Sequence, residues 1–329
     1  MRPVVIGIES LCLDVRTPPS PSVEGAVTLA AVNLPREVAV VGAGTMGAGI
    51  ARVFADAGVS VRLCARRESS LETARTRLGD RAAQVQLTTD SDEALRGADL
   101  VVETIVEEAE AKRGVLARAE ELAPNAILTT NTSSLPLATL ADVLRKPERF
   151  AGLHWLNPPD LVELVEVVGG KRTAPETLEA LEGWMEQLGK APVIVRRAVP
   201  GFVANRLQYA LLREAYALVD AGVCSFADVD RTLTHGLGAR WAAIGPFETM
   251  DLAGLDVHAA VAANLWPELA NGREPSPSIA HALETGALGA KSGRGLLGDY
   301  PAAATAALGD RRDRVLRGVR ALREEPGED

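Results

Sequence analysis

Few residues in this chain combine a reactive type with a spacing that chemistry could use. There are only four histidines, His154, His235, His258 and His281. His154 closes an apolar strand in AGLHWLNPP, and twelve residues later Glu166 sits inside the apolar run LVEVV. A carboxylate in such a run is costly unless it has a partner. A histidine is a suitable one, and the carboxylate would orient the ring and stabilise the imidazolium, which is the arrangement of a general base. The alternative is a structural histidine beside a solvated strand-edge glutamate. Two further segments supply polar groups that could complete a site. One is Asn131-Thr132-Ser133-Ser134-Leu135-Pro136, at the C-terminal end of a predicted strand. The other is PGFVANR, where Asn205 opens a helical region. In open α/β sheets ligands bind at the C-terminal strand edge.

A second constellation is Gly42-Ala43-Gly44-Thr45-Met46-Gly47, a GxGxxG. Gly42 permits a tight turn, Gly44 lets backbone approach a pyrophosphate, and Gly47 lets helix and strand pack closely. The following helix start, at Thr45 and Met46, offers free N–H groups to the anion. The motif is weak alone, but here a strand precedes it and a helix and second strand follow, which is the context it needs. An NAD-binding chain ordinarily carries an acidic residue about 20 positions on, bonded to the ribose 2′-hydroxyl. Here Ala65 stands 23 residues beyond Gly42, followed by Arg66 and Arg67. A guanidinium can grip a 2′-phosphate that an aspartate would repel. The expected cofactor is therefore NADP, with NAD accommodated if the arginines are merely solvated.

The elements that must hold these groups follow from periodicity. Short apolar runs at 38–41, 59–64, 98–103, 126–130, 150–154, 164–168 and 193–195 read as strands, and helical spacing fills most of the gaps. Strand–helix alternation predicts an α/β domain with a parallel sheet. After Pro200-Gly201 the signal becomes helical, and 202–221 is one long apolar helix, with Ser225 capping the next. The fold class is α/β: a Rossmann-type N-terminal domain with an all-helical C-terminal domain. The expected boundaries are a loosely ordered extension at 1–34, a dinucleotide-binding domain at 35–199, and a helical substrate and dimerisation domain at 200–329.

Composition narrows the function. The 329 residues carry a formal net charge of −9, which argues against a nucleic-acid or polybasic membrane partner. No apolar run reaches the roughly 18 residues of a membrane span. Glu9 and Asp14 interrupt the start of the chain too early for a secretory leader. Cys12, Cys64 and Cys224 form no CxxC pair, which fits a reducing cytoplasm and a chain with neither disulfide framework nor cysteine-based metal site.

GAGTMG, NTSSLP, GLHWLNPP, LVEVV, PGFVANR and GPFETMDLAGLD occur in an order and spacing that resemble the 3-hydroxyacyl-CoA dehydrogenase family, from about Glu37 to Tyr300. The stretch from Gly201 to Leu255 is also similar to the λ-crystallin and L-gulonate 3-dehydrogenase branch, to which L-carnitine dehydrogenases are related. The resemblance implies His154 as general base on a 3-hydroxyl and Glu166 as its orienting carboxylate. Ser133 and Asn205 would hold the substrate oxygen, and Asn131, Ser133, Glu107, Lys112, Asn157 and Lys291 would contact the cofactor. It implies a small-molecule substrate, a 3-hydroxyacyl thioester in the leading reading, and a homodimer formed through the helical domain. The alternatives are a small free 3-hydroxy acid, gulonate- or carnitine-like, and a non-catalytic, crystallin-like nucleotide binder. Two departures stand out. The second strand ends in Ala65 rather than aspartate. Only 34 residues then lead to Asp99, too few for the family's long CoA-binding helical hairpin.

Overall fold

The computed structural model describes residues 33–324. The extension expected at 1–34 lies almost entirely outside them. Eight strands form one sheet: β1 (Glu37–Val41), β2 (Ser60–Cys64), β3 (Val85–Thr88), β4 (Leu100–Glu103), β5 (Ile127–Thr130), β6 (Phe150–Trp155), β7 (Leu164–Gly169) and β8 (Ala191–Val195). Their order is β3-β2-β1-β4-β5-β6-β7-β8. The chain moves outward from β1 to β3, then returns to β4 on the other side of β1. That reversal opens a crevice at the C-terminal ends of β1 and β4, where open α/β sheets bind ligands.

Six helices pack on this sheet: α1 (Thr45–Asp56), α2 (Glu68–Leu78), α3 (Ser91–Leu95), α4 (Ala109–Leu122), α5 (Leu137–Ala141) and α6 (Pro175–Gln187). Alternation along β1 explains the two layers. Val38 and Val40 face a core with Ile50 and Phe54 of α1, Leu71 of α2 and Leu181 of α6. Ala39 and Val41 face the opposite core, with Leu116 of α4 and Leu140 of α5.

The expected parallel sheet needs one correction. β6 and β7 pair antiparallel, and the other neighbours are parallel. The loop between them, 156–163, is too short for a crossover connection, which takes a dozen or more residues. The consequence is chemical, because this register sets His154 directly opposite Glu166.

Beyond Phe202 the chain is mainly helical: α7 (Ala204–Asp220), α8 (Phe226–Thr232), α9 (Gly238–Ala243), α10 (Pro246–Ala253), α11 (Leu255–Leu265), α12 (Pro277–Glu284) and α13 (Ala302–Glu324). Ser225 caps α8, accepting from the Asp228 N–H while the Asp228 carboxylate reaches back, a reciprocal pair that satisfies two helix-end donors. The region is not wholly helical, since β9 (Arg294–Gly295) and β10 (Gly298–Asp299) make a two-stranded antiparallel ribbon. No described residue after Phe202 is buried. Among the described residues, no helix is long and apolar enough to cross a membrane.

Candidate active site

The glycine-rich turn joins β1 to α1. Gly42 has φ +116°, and a Cβ there would run into the Thr104 carbonyl. A Cβ at Gly47 would run into the Gly42 carbonyl. Gly44 is different: a Cβ would meet nothing within 4 Å, so its open side faces the crevice. Gly44 is also the N-cap of α1, with no side-chain cap and no acidic residue in the first turn. The first N–H groups of α1, from Thr45 and Met46 onward, therefore keep their capacity for an anion. This is the cradle a pyrophosphate requires. Gly42, Gly44, Ala65, Arg66, Arg67 and Ile105 line a cleft here of about 770 Å³. Ala65 is buried, and its N–H is taken by the Thr88 carbonyl. Arg66 and Arg67 are exposed, and neither guanidinium has a hydrogen-bond or ion-pair partner among the described residues.

At the sheet's other half, His154 Nδ1 lies 2.7 Å from Glu166 Oε2. Both side chains are buried. A carboxylate only accepts, so Nδ1 carries the proton and Nε2 is left as the ring's acceptor. The second carboxylate oxygen, Oε1, accepts the N–H groups of Val203 and Ala204 at 2.8 and 2.9 Å. Burial pushes the Glu166 carboxyl upward, but the hydrogen bonds from His154, Ala204 and Val203 outweigh it and hold it below the ordinary 4.5. The turn that presents those N–H groups is strained: Gly201 has φ +77° and Phe202, a bulky residue, has φ +47°. Its ring sits edge-on to His154 at 5.5 Å. Nothing in the residue type marks Phe202 as part of a site, although it stands inside PGFVANR.

Ser133 is placed by Glu107. One oxygen of Glu107 accepts from Thr132 Oγ1 at 2.6 Å, the Ser133 N–H at 3.0 Å, and the N–H and hydroxyl of Ser134 at 3.1 and 3.0 Å. Burial raises the Glu107 carboxyl, and these bonds with the Lys112 charge more than reverse it. Lys112 corrects an expectation. It is 1% exposed, with Nζ 2.7 Å from Glu103 Oε1 and 3.3 Å from Glu107 Oε2. It faces these carboxylates, and it does not line the cleft at the glycine turn. Thr130 Oγ1 and the Ile105 N–H complete the shell of Glu103. The apolar strand carrying Glu103 gave the signal that had singled out Glu166. Asn131 is a clamp: its Oδ1 accepts the Trp155 N–H at 2.8 Å and its Nδ2 reaches Thr104 Oγ1 at 3.3 Å.

Asn205, on the first turn of α7, lines one cleft of about 560 Å³ with Ser133. Asn157 is exposed in the loop after β6. Lys190 holds that loop, donating to the carbonyls of Pro159 and Val162 at 2.7 and 3.0 Å. Lys291 is not brought to the site. It lines a separate cavity within the helical region with Leu212, Tyr216 and Phe226, and among the described residues that cavity shares no lining residue with the cleft at the glycine turn.

Comparisons with known proteins place this chain among related families and structures. The NAD binding domain of 3-hydroxyacyl-CoA dehydrogenase matches residues 37–198, and the C-terminal domain of the same family matches residues 201–298. The 5-formyl-3-hydroxy-2-methylpyridine 4-carboxylate 5-dehydrogenase of Mesorhizobium japonicum is 35% identical over 305 residues, covering 88% of this chain and 98% of that protein. The L-carnitine dehydrogenase of Streptomyces griseus is 36% identical over 255 residues, or 72% of this chain and 76% of that one. Among solved structures, a 5-formyl-3-hydroxy-2-methylpyridine 4-carboxylic acid 5-dehydrogenase, described as an NAD+ dependent dismutase, superposes with TM-score 0.84 at 35% identity over 87% of this chain and 98% of that one. The 3-hydroxyacyl-CoA dehydrogenase of Archaeoglobus fulgidus gives 0.66 at 32% identity over 86% and 99%. The chain belongs to the 3-hydroxyacyl-CoA dehydrogenase family, and it is a nicotinamide-dependent oxidoreductase acting on a CH–OH group.

Proposed function

We propose that this member of the 3-hydroxyacyl-CoA dehydrogenase family acts on a small free carboxylated substrate, as a homodimer that prefers NADP. The observation carrying the substrate class is the connection from β2 to β4. It holds only α2, a 3-10 turn at 79–84, β3 and the five-residue α3, with no helical hairpin to embrace CoA. The 5-formyl-3-hydroxy-2-methylpyridine 4-carboxylate 5-dehydrogenase, 35% identical over 98% of its own length, is named for a free acid, which supports the same reading. A thioester is the second reading. It is favoured by the 3-hydroxyadipyl-CoA dehydrogenase of Escherichia coli, 37% identical over 292 residues and 60% of that protein's length.

A bound NAD(P)+ supplies the hydride acceptor. The chain's own residues do the rest. Glu166 holds the Nδ1–H tautomer of His154, so Nε2 takes the proton of the substrate hydroxyl as the carbon loses hydride. Ser133 and Asn205 position the oxygen as it becomes a carbonyl. In the reverse direction the protonated ring returns the proton to that oxygen.

The preference for NADP rests on Arg66 and Arg67, exposed and unpartnered at the rim of the cleft where an acidic residue would otherwise bind the ribose. Assembly rests on the helical region. Phe247 is 78% exposed, Leu252 79% and Trp266 74%. Apolar area on this scale calls for a cover, and a second copy is the simplest. Sedimentation should give a dimer at micromolar concentration, and a stable monomer would contradict the assignment.

The test of function is kcat/KM with NAD(H) and NADP(H) over a panel: 5-formyl-3-hydroxy-2-methylpyridine 4-carboxylate, L-gulonate, L-carnitine and acetoacetyl-CoA. Turnover of free acids with little on the thioester is expected. Turnover confined to acetoacetyl-CoA would overturn the substrate reading, and no turnover of any of them despite tight cofactor binding would favour the non-catalytic role.

A further inference from the structure

The cleft shared by Ser133 and Asn205 has a second end. Tyr209 and Arg213 line it as well, with Arg206. Asn205, Tyr209 and Arg213 are spaced i, i+4, i+8 on α7, a regular helix over Ala204–Asp220, so they share one face. Among the described residues no carboxylate lines this cleft, although the chain carries a formal net charge of −9. The nearest acidic neighbour in sequence, Glu214, is turned elsewhere and accepts the Ala270 N–H at 2.6 Å. Arg206 is partly engaged, with Nη1 3.3 Å from the Pro200 carbonyl. Arg213 makes no hydrogen bond or ion pair with any described residue, and it is exposed.

We propose that Arg213, assisted by the Tyr209 hydroxyl, is the specificity-determining end of the substrate cleft and binds a carboxylate of the substrate. The proposal rests on the reading of the chain as a dehydrogenase of small free acids and adds which residues select them. A guanidinium is suited to the task because its planar fork matches a carboxylate in two parallel hydrogen bonds. The helix also sets a ruler. Eight residues separate the Cα atoms of Asn205 and Arg213 by about 12 Å along the axis. Long helical side chains lean toward the N-terminus, so Arg213 leans back toward Asn205. That lean carries the guanidinium toward the oxygen that Asn205 positions, so short-chain hydroxy acids and ring-borne carboxylates beside a reacting carbon fit between them.

The test uses full-length enzyme with saturating NADPH and a matched pair of unreactive probes, pyridine-4-carboxylate and pyridine-4-carboxamide, titrated by calorimetry. Wild type should bind the acid about 10- to 100-fold more tightly than the amide, the size expected of hydrogen bonds to a charged partner. Arg213→Met should abolish that difference, and Arg213→Lys should restore only part of it. For each free acid turned over, Arg213→Met should raise KM by a similar factor with kcat nearly unchanged. Equal binding of acid and amide to wild type, or no binding of either, overturns the proposal. Free acids that turn over with a KM indifferent to Arg213→Met would sink Arg213 and leave the small-acid reading intact. Discrimination through Arg213 in an enzyme that reduces only acetoacetyl-CoA would keep the anion site and sink that reading.

Discussion

Glu166→Gln is the most informative single change, because the two faces of this side chain do different work. Oε1 accepts two backbone N–H groups and Oε2 faces His154 Nδ1. An amide has one acceptor oxygen, so the variant must choose. If the amide oxygen stays with His154, the NH2 group confronts the N–H of Val203 and Ala204. That leaves two half-buried donors unpaired, at about 1 kcal/mol or more each. If the oxygen stays with the backbone, the NH2 group donates to Nδ1 and the ring only has to adopt its other neutral tautomer. The second arrangement wins. It keeps the turn at 201–204 anchored but puts the proton on Nε2, where the acceptor for the substrate hydroxyl is needed.

The expected result is a drop in kcat for oxidation of about 10²–10⁴-fold, the range of a general-base contribution. KM and cofactor affinity should stay within about twofold, and Tm should fall by only a few degrees. The assay is steady-state oxidation and reduction over pH 5–10, with cofactor titrated separately by fluorescence. A variant that keeps kcat within about threefold would refute the reasoning, showing that Glu166 serves only to anchor the turn. Acid stability carries a second check with a defined sign. The Glu166 carboxyl is held below 4.5 in the folded chain, so its contribution is complete above that pH and is lost as pH falls below it. The Tm gap between wild type and Glu166→Gln should be flat from pH 8 to 5 and shrink only in stronger acid.

Three other changes are tied to particular contacts. Ala65→Asp with Arg66→Ser should turn a roughly 10- to 100-fold preference for NADPH into one for NADH. Wild-type kcat/KM values that are equal, or favour NADH, would make the arginines plain surface charges. Burial, with the nearby Arg320 charge, holds the Lys190 ammonium down to about 8 from 10.5. Between those values the unfolded chain binds more protons, so stability rises with pH there. The Tm of wild type relative to Lys190→Met should therefore improve from pH 7.5 to 10, and an unchanged gap would mean Lys190 titrates as an exposed lysine. Phe247→Asp with Leu252→Asp should shift sedimentation toward monomer at micromolar concentration, and an unaltered dimer would place the interface elsewhere.

The glycine turn was legible because its three glycines answer three local constraints, two of them visible as backbone atoms in the way of a side chain at Gly42 and Gly47. His154 and Glu166 were legible as a pair because a charge in an apolar strand demands a partner. Their strand pairing was not. The 156–163 loop carries Pro158 and Pro159 but none of the tight-turn signals of a hairpin, so an antiparallel pair had no local mark. Lys112 was legible as a site residue but not as the buried partner of Glu103. Lysine is ordinarily exposed, and only the fold reveals that this one closes over two carboxylates. Lys291 shows the limit of motif likeness, which orders residues along the chain without placing them in space. In the helical region the long apolar helix at 202–221 already calls for a cover, and the absence of any buried residue among those described after Phe202 extends that need well beyond α7.

Glu107 offers the sharpest contrast with Glu166. Both are glutamates that cage consecutive N–H groups beside a candidate site residue, yet they divide their bonds differently. All four donors on the 132–134 turn converge on a single oxygen of Glu107, while the other faces Lys112 at 3.3 Å. In Glu107→Gln the amide oxygen can keep all four donors. The loss is confined to the far side, where an NH2 group meets an ammonium that still has Glu103 at 2.7 Å. Glu107 is 37% exposed but the Lys112 it faces is 1% exposed, so the change leaves a buried ammonium with one carboxylate fewer and costs stability, while the Ser133 turn stays where it was and no proton is misplaced. Glu107→Gln should therefore lower Tm more than Glu166→Gln while reducing kcat by less than about tenfold, which is below the general-base range. The two variants, compared by thermal unfolding and steady-state kinetics in one buffer, should rank in opposite order on the two scales. The same order on both would mean that the carboxylates act alike, as anchors, and that the tautomer of His154 is not what Glu166 controls.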